Sequence, residues 1–340
     1  MPPQRSALKS WAKQTLHGVQ NCLIPSFKPD MSELDEAGIR LDVRQSIAHG
    51  FVSSLCLAEA GLTLDEARRF VSIVTDEAKD AIVVSTTIMF DTFAQNEAML
   101  RHANDAGCRL AFIDYPHSWT PRNEQDVYDA ALSLCNASDM GVFLHPVGRD
   151  NMRRLHPSGC SADLLQRLAG IDSVVAVEIT DFGLLSDYLH VCADQILLQC
   201  PLERFLPLLV ERCNLQLLGP GAYELYQTPD QPLLVQCMKL LRSGDHDNAM
   251  AIYWRLAPVR MAFEMKMMQM MPTGAHPLPL WKFYQWLSGG NGGYSSTRLP
   301  IMEVSEMDKS MALQAMMMSG LRTPAPTDDS FYAGRVNVRR

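Results

Sequence analysis

Eight short apolar runs recur along the first two thirds of the chain, each followed by a longer amphipathic stretch. The runs are Asn21–Pro25, Phe51–Leu57, Ala81–Thr87, Arg109–Asp114, Gly141–His145, Ser173–Glu178, Asp194–Gln199 and Asn214–Gly219. They are rich in Val, Ile, Leu and Phe and lack polar alternation, the pattern of strands covered on both faces. The stretches between them carry helix signals. Leu64–Asp80 follows Thr63 and has Asp65 and Glu66 in its first turn, where carboxylates meet the positive end of the helix dipole. Gln95–Ala106 closes on Gly107, a residue suited to a left-handed cap. Asn123–Ala137, Ala162–Gly170 and Leu202–Cys213 read the same way. Strand then helix, repeated eight times, predicts an α/β fold of the (β/α)8 TIM-barrel kind. A doubly wound sheet would not need eight units, and no GxGxxG follows the first run.

The pattern divides the chain into an N-terminal arm or helix over 1–20, a barrel over 21–225, a helical C-terminal extension over 226–320 and a loosely held tail over 321–340. Helices are expected at Pro232–Leu241, Asp247–Met271, Leu278–Leu287 and Val304–Gly320, with a flexible connector at 288–296. The methionine-rich stretch Met261–Met271 and Met316–Met318 read as deformable core or subunit contact, because Met fills irregular gaps.

Composition narrows the function. A chain of 340 residues that is 47% hydrophobic and 20% charged is not disordered. The net charge of −8 argues against a nucleic-acid partner, which would want a basic face. No run of about 18 apolar residues supports a membrane span. The basic opening segment has no apolar core or cleavage site after it, so a cytoplasmic location is expected. Nine cysteines without a CxxC pair read as reduced, buried thiols, not as a zinc site.

In a barrel of this kind the reactive groups stand at the C-terminal ends of the strands and in the loops after them. Those positions hold Cys56, Leu57 and Glu59, then Ser85, Thr86 and Thr87, then Asp114, Tyr115 and His117, His145 and Arg149, Glu178, Thr180 and Asp181, Gln199 and Cys200, and the Gly219-Pro220-Gly221 turn. Carboxylates crowded at one mouth raise one another's pKa, which poises one as a general acid. His145 can exchange protons near neutral pH. Structural roles compete with these: Glu59 as a helix cap, Asp114 bound to loop amides, His145 as a satisfied residue before Pro146. Asp114, His145 and Glu178 could also converge on a metal, but no HxH or HxxxH pair pre-forms a site. Direct binding of a small-molecule substrate, with no cofactor, is the expectation.

Several segments resemble the dihydrodipicolinate synthase and N-acetylneuraminate lyase superfamily. IPSFKPDMSELDEAGIRLDVRQSIAHG (24–50) is similar to its first-strand motif and the helix that follows. LAEAGLTLDEARRFV (57–71) resembles its glycine-threonine-glutamate loop and helix start. DYPHSWTP (114–121), FLHPVGR (143–149) and SVVAVEITD (173–181) are similar to its tyrosine loop and its fifth and sixth strands, and TRLPIMEVSE (297–306) to the opening of its last helices. The resemblance implies a barrel with helical extension, lyase chemistry, and a homo-oligomer, dimer or tetramer. Tyr115, Glu59 and Arg149 match family positions. The family's Schiff-base lysine matches Glu178, its strand-five tyrosine matches Leu144, and its two carboxylate-holding threonines match Cys56 and Leu57 after which Ala58 replaces a glycine.

A carboxylate cannot form an imine, so covalent 2-oxo-acid chemistry through Glu178 is excluded. An anion in place of a cation also inverts the field, which then disfavours a carboxylate substrate and favours an amine, amidine or guanidinium. The expected activity is a non-covalent lyase: dehydration, cyclodehydration or retro-aldol cleavage of a small polar substrate, neutral or cationic. Glu178 is expected as principal acid or base, with His145 and Tyr115 as relays. Glu59, Thr86, Asp114, His117, Arg149, Thr180 and Asp181 are expected to bind substrate. The alternatives are a metal-assisted hydrolase or lyase built on Asp114, His145 and Glu178, and a non-catalytic ligand-binding protein.

Overall fold

A computed structural model describes residues 4–146, 150–270, 276–293, 303–323 and 330–338. Eight parallel strands close into one barrel in chain order. They are β1 (Gly18–Leu23), β2 (Ser53–Cys56), β3 (Val83–Ile88), β4 (Leu110–Ile113), β5 (Gly141–Leu144), β6 (Val174–Glu178), β7 (Leu197–Cys200) and β8 (Leu217–Gly221). This is the (β/α)8 fold that the spacing of apolar runs predicts. The first strand begins three residues before its apolar run, because Gly18, Val19 and Gln20 already pair with β8 and β2. The polar Gln20 hides that start.

The helices are α1 (Leu8–Thr15), α2 (Glu36–Ala48), α3 (Leu64–Ala78), α4 (Phe93–Ala106), α5 (Glu124–Asn136), α6 (Asp150–Arg153), α7 (Ala162–Ala169), α8 (Phe182–Val191) and α9 (Leu206–Cys213). The extension adds α10 (Leu233–Ser243), α11 (His246–Arg255), α12 (Ala257–Met270), α13 (Leu278–Leu287), α14 (Glu306–Met318) and α15 (Ser330–Ala333). The start of α3 is a reciprocal cap: Thr63 Oγ1 accepts from Glu66 N at 3.3 Å, and Glu66 Oε2 accepts from Thr63 N at 3.0 Å. The long helix expected over Asp247–Met271 is two helices. Pro258, in the first turn of α12, has no N–H to carry α11 onward.

Part of 321–340, expected to hang loosely, is packed: Leu321 and Phe331 are buried, whereas Val336 and Val338 are exposed. The ring centroid of Phe331 lies 5.2 Å from that of Phe283. Arg335 donates to the carbonyls of Gly290 at 3.0 Å and Trp286 at 2.8 Å.

Register decides which side chains enter the barrel. Residues paired across parallel strands point the same way, and neighbours along a strand alternate. The pairs Gln20↔Ser53, Leu55↔Ser85, Thr87↔Phe112, Phe112↔Phe143, Phe143↔Ala176 and Glu178↔Gln199 form one facing set. Two hydrogen bonds identify that set as the lumen. Gln20 of β1 reaches Ser85 of β3 past β2, and Gln199 of β7 reaches Gln20 past β8. Such contacts are made only across the inside of a barrel.

β8 ends in glycine for a packing reason. A Cβ on Gly221 would lie 2.7 Å from the ring of Tyr223, which is fully buried. A rigid ring cannot yield as a flexible side chain would. Gly221→Ala is expected to lose about 1–3 kcal/mol of stability, read from urea denaturation. A loss below experimental error would show that the ring moves freely.

A second polar seam joins the barrel to its extension. Lys282 of α13 is fully buried and donates to Asp42 Oδ2 of α2 at 2.6 Å and to the Ile24 carbonyl at 2.7 Å. Beside it, Asn21 Nδ2 donates to Glu224 Oε1 at 2.7 Å. All nine cysteines are free, and all but Cys213 are buried. The methionine stripe is outward: Met261, Met265 and Met268 of α12 are exposed. No helix among the described residues is long and apolar enough to cross a membrane.

Candidate active site

β4 and β5 pair in register up to Ile113↔Leu144, so Asp114 and His145 leave the barrel side by side. Their alternation places both on the lumen face with Phe112 and Phe143. His145 Nδ1 lies 3.6 Å from Asp114 Oδ2, and His145 Nε2 lies 3.5 Å from Glu178 Oε1. The result is a carboxylate–imidazole–carboxylate row across the C-terminal ends of β4, β5 and β6. These separations are longer than ordinary hydrogen bonds. Asp114 Oδ1 accepts from Tyr115 N at 2.7 Å, which turns Oδ2 toward the imidazole.

Glu178 ends β6 inside the barrel and is 7% exposed. Burial pushes its carboxyl up to about 7, against the opposing pull of His145. Its Oε2 is buried with no hydrogen-bond partner among the described residues. A carboxyl that titrates near neutrality beside an imidazole can take or give a proton at working pH.

The other expected residues divide. Glu59 is drawn in, because Thr87 Oγ1 donates to its Oε2. Thr87, not Thr86, is the threonine of the lumen. Thr86 sits on the opposite alternation, paired with Cys56 and Ala111, and its hydroxyl donates to the Thr87 carbonyl at 3.3 Å. Tyr115 follows Asp114 in the loop beyond the end of β4. Its ring lies 5.2 Å from that of Trp119, and its phenol is pushed well up by burial among groups that include Cys160 and Asp114. His117, Thr180 and Asp181 are exposed. Asp181 is the N-cap of α8, accepting from Gly183 N at 2.6 Å. Arg149 lies outside the described residues. The structure thus brings together Asp114, His145 and Glu178, with Glu59 linked through Thr87 at the rim.

Sequence reasoning placed Gln199 at a strand end without giving it a role, and missed the lumen amide Gln20 and the buried ring of Tyr223. The usable signal was parity. Counting back by twos from Asp114 and Glu178 marks the lumen side of each strand, and matching it to the neighbouring strands selects Thr87 over Thr86. Among the described residues no group of three or more His, Cys, Asp or Glu side chains is arranged to hold a metal ion, and this includes Asp114, His145 and Glu178.

No family model matches the sequence, and no curated protein matches it either. Solved structures do match in fold. An N-acetylneuraminate lyase from Fusobacterium nucleatum superimposes with a TM-score of 0.70 at 14% identity, over 91% of this chain and 100% of that one. A dihydrodipicolinate synthase from Aquifex aeolicus gives 0.74 at 15% identity, over 91% and 100%. A dihydrodipicolinate synthase from Oceanobacillus iheyensis gives 0.71 at 15% identity, over 90% and 98%. The chain has the fold of the dihydrodipicolinate synthase and N-acetylneuraminate lyase structures.

Proposed function

We propose that the chain is a lyase that acts without covalent attachment, by general acid–base catalysis, on a small polar substrate that is neutral or cationic. The observation that carries this reading is the Asp114–His145–Glu178 row at the end of the barrel where such folds do their chemistry. The names of the neighbours, a lyase and synthases, agree with the reaction class.

In a dehydration, Glu178 protonates the departing hydroxyl, and the C–O bonding pair leaves with that oxygen as water. His145, backed by Asp114, takes the proton from the adjacent carbon, whose C–H pair becomes the new double bond. Retro-aldol cleavage uses the same groups: His145 takes the hydroxyl proton and Glu178 protonates the carbon fragment. Acidic groups dominate the row, so a carboxylate substrate is disfavoured and an amine or amidine is favoured. Tyr115 keeps its place as a relay beside Asp114: burial pushes its phenol well up, and the charge of Asp114 adds to that.

The test is turnover on a panel of β-hydroxy amines, amides and aldols, followed by NMR for alkene or cleaved carbonyl products. Ligand shifts without product across the panel would favour the non-catalytic binding protein. A second measurement separates this reading from imine chemistry. Borohydride added with pyruvate is expected to leave the intact mass unchanged, since Glu178 has no amine to condense. A stable adduct would sink the non-covalent assignment.

A further inference from the structure

Below the row, the lumen hydrogen bonds run in one direction. Ser85 Oγ donates to the Ser54 carbonyl at 3.1 Å, so its lone pairs face inward. Gln20 Nε2 donates to them at 3.0 Å and to Ser53 Oγ at 2.8 Å. That turns Gln20 Oε1 toward β7, where it accepts from Gln199 Nε2 at 2.6 Å. Each amide is therefore oriented by the one before it, starting from a main-chain carbonyl that cannot flip. Turning Gln199 over would set two carbonyl oxygens against each other.

Gln199 Oε1 thus points away from Gln20. It is fully buried and has no hydrogen-bond partner among the described residues. Its register neighbour on the same lumen face is Glu178. One oxygen of Glu178 faces His145, and the other, Oε2, is also buried and unpartnered. Two buried, unpaired acceptors on adjacent strands are unfavourable as they stand, because buried polar atoms are almost always paired. A single hydrogen between them satisfies both.

We propose that Gln199 is a positioning residue that stores a proton on Glu178, with the Glu178 Oε2–H donating to Gln199 Oε1. The groups around Glu178 agree. His145 after β5 favours the ionised form, whereas burial favours the neutral one; the carboxylates Asp114 after β4 and Glu59 after β2 stand at the same mouth of the barrel. Cys22 of β1, Cys200 of β7 and Tyr223 after β8 stay neutral, each pushed up by burial. The acid is then loaded and aimed before substrate arrives. When the proton passes to a substrate oxygen, its bonding pair stays on Glu178 Oε2. The catalytic meaning of this device rests on the acid–base reading above, but the place of the proton is measured without turnover.

The experiment uses the full chain with 13C-labelled glutamate, the Glu178 carboxyl resonance being assigned by its loss in Glu178→Gln. Glu178 is expected to remain protonated at about pH 6, with a matching protonated-carboxyl infrared band that Glu178→Gln removes. An ionised Glu178 at that pH overturns the proposal. Gln199→Met deletes the acceptor and is expected to weaken proton affinity at Glu178 by about tenfold or more. Gln20→Met frees the Gln199 amide to turn its NH2 toward Glu178, which favours the carboxylate and moves the titration the same way. A purely structural role would leave both titrations where they were, and that result overturns the proposal. If one variant fails to fold, the other and the wild-type infrared band still decide. A protonated Glu178 in a chain whose Glu178→Gln variant keeps full turnover would retain the proton store and remove the acid–base reading. An ionised Glu178 with turnover lost in that variant would do the reverse.

Discussion

Glu178→Gln is expected to lower turnover by about 10²–10⁴-fold, the usual contribution of a positioned acid or base, while leaving the barrel folded. The two side chains have nearly the same shape, so the lumen packing around β6 and β7 is kept. What changes is that an amide cannot deliver a proton. Stability should hold or rise. The new NH2 can donate to the buried Gln199 Oε1, and no group there needs ionising. The pH profile gives a second reading. The working form of Glu178 as an acid is the protonated one, which is plentiful below about 7 and lost above it. Activity limited by that step should therefore fall as pH rises through about 7, and the residual activity of Glu178→Gln should lack that limb. The measurements are kcat/KM against pH for both proteins and circular dichroism for the fold. Unchanged kcat/KM in a folded variant would remove Glu178 from the chemistry.

Lys282→Met should produce the largest loss of stability, about 3–5 kcal/mol in urea denaturation. Lys282 is fully buried and Asp42 is 3% exposed, so neither charge has water to fall back on. Asp42 also accepts from Ser26 Oγ at 2.9 Å and from Asn291 N at 2.7 Å. Those neutral donors orient the carboxylate but do not cancel its charge. Deleting the lysine leaves a buried anion, and the Ile24 carbonyl loses its donor as well. Lys282→Met with Asp42→Asn should regain part of the loss, because the second change removes the stranded charge. A single-variant loss under about 1 kcal/mol would mean that water enters the seam, and the pair would then be no more than a surface-like contact. The pair ties α13 of the extension to α2 and β1, so the same variant reports how firmly the extension holds the barrel.

The alternation of apolar runs and helix signals carries the barrel, because every strand buried on both faces must be apolar throughout, whatever its partners. Thr63 with Glu66, and Gly107 after α4, act within a turn of themselves and are visible without tertiary contacts. Asp114, His145 and Glu178 could be nominated because a barrel always exposes its strand ends at one mouth. Their choice over Thr86, Thr180 and Asp181 could not be made locally. It depends on parity within each strand and on the register between strands, and a shift of one residue sends a side chain to the other face. Asp181 illustrates the ambiguity: the residue that looks like a site carboxylate serves its own helix as a cap.

Lys282, Glu224 and Gln199 show the other limit. The apolar run LPLWKFYQWL marks the helix of Lys282 as buried, but nothing near it names its partner, since Asp42 is 240 positions away. Gln199 looks like an ordinary polar end to an apolar strand until the chain of amides running back to the Ser54 carbonyl orients it. Local chemistry by itself determined the eightfold repeat, the helix caps and the acidic strand ends. Tertiary structure decided which of those strand-end groups share the lumen, which oxygen of Glu178 meets His145, and where the buried lysine finds its partner. Period and capping are set by neighbours a few residues apart. Convergence across a closed barrel depends on registers among strands separated by tens of residues, and it exists only once the barrel has closed.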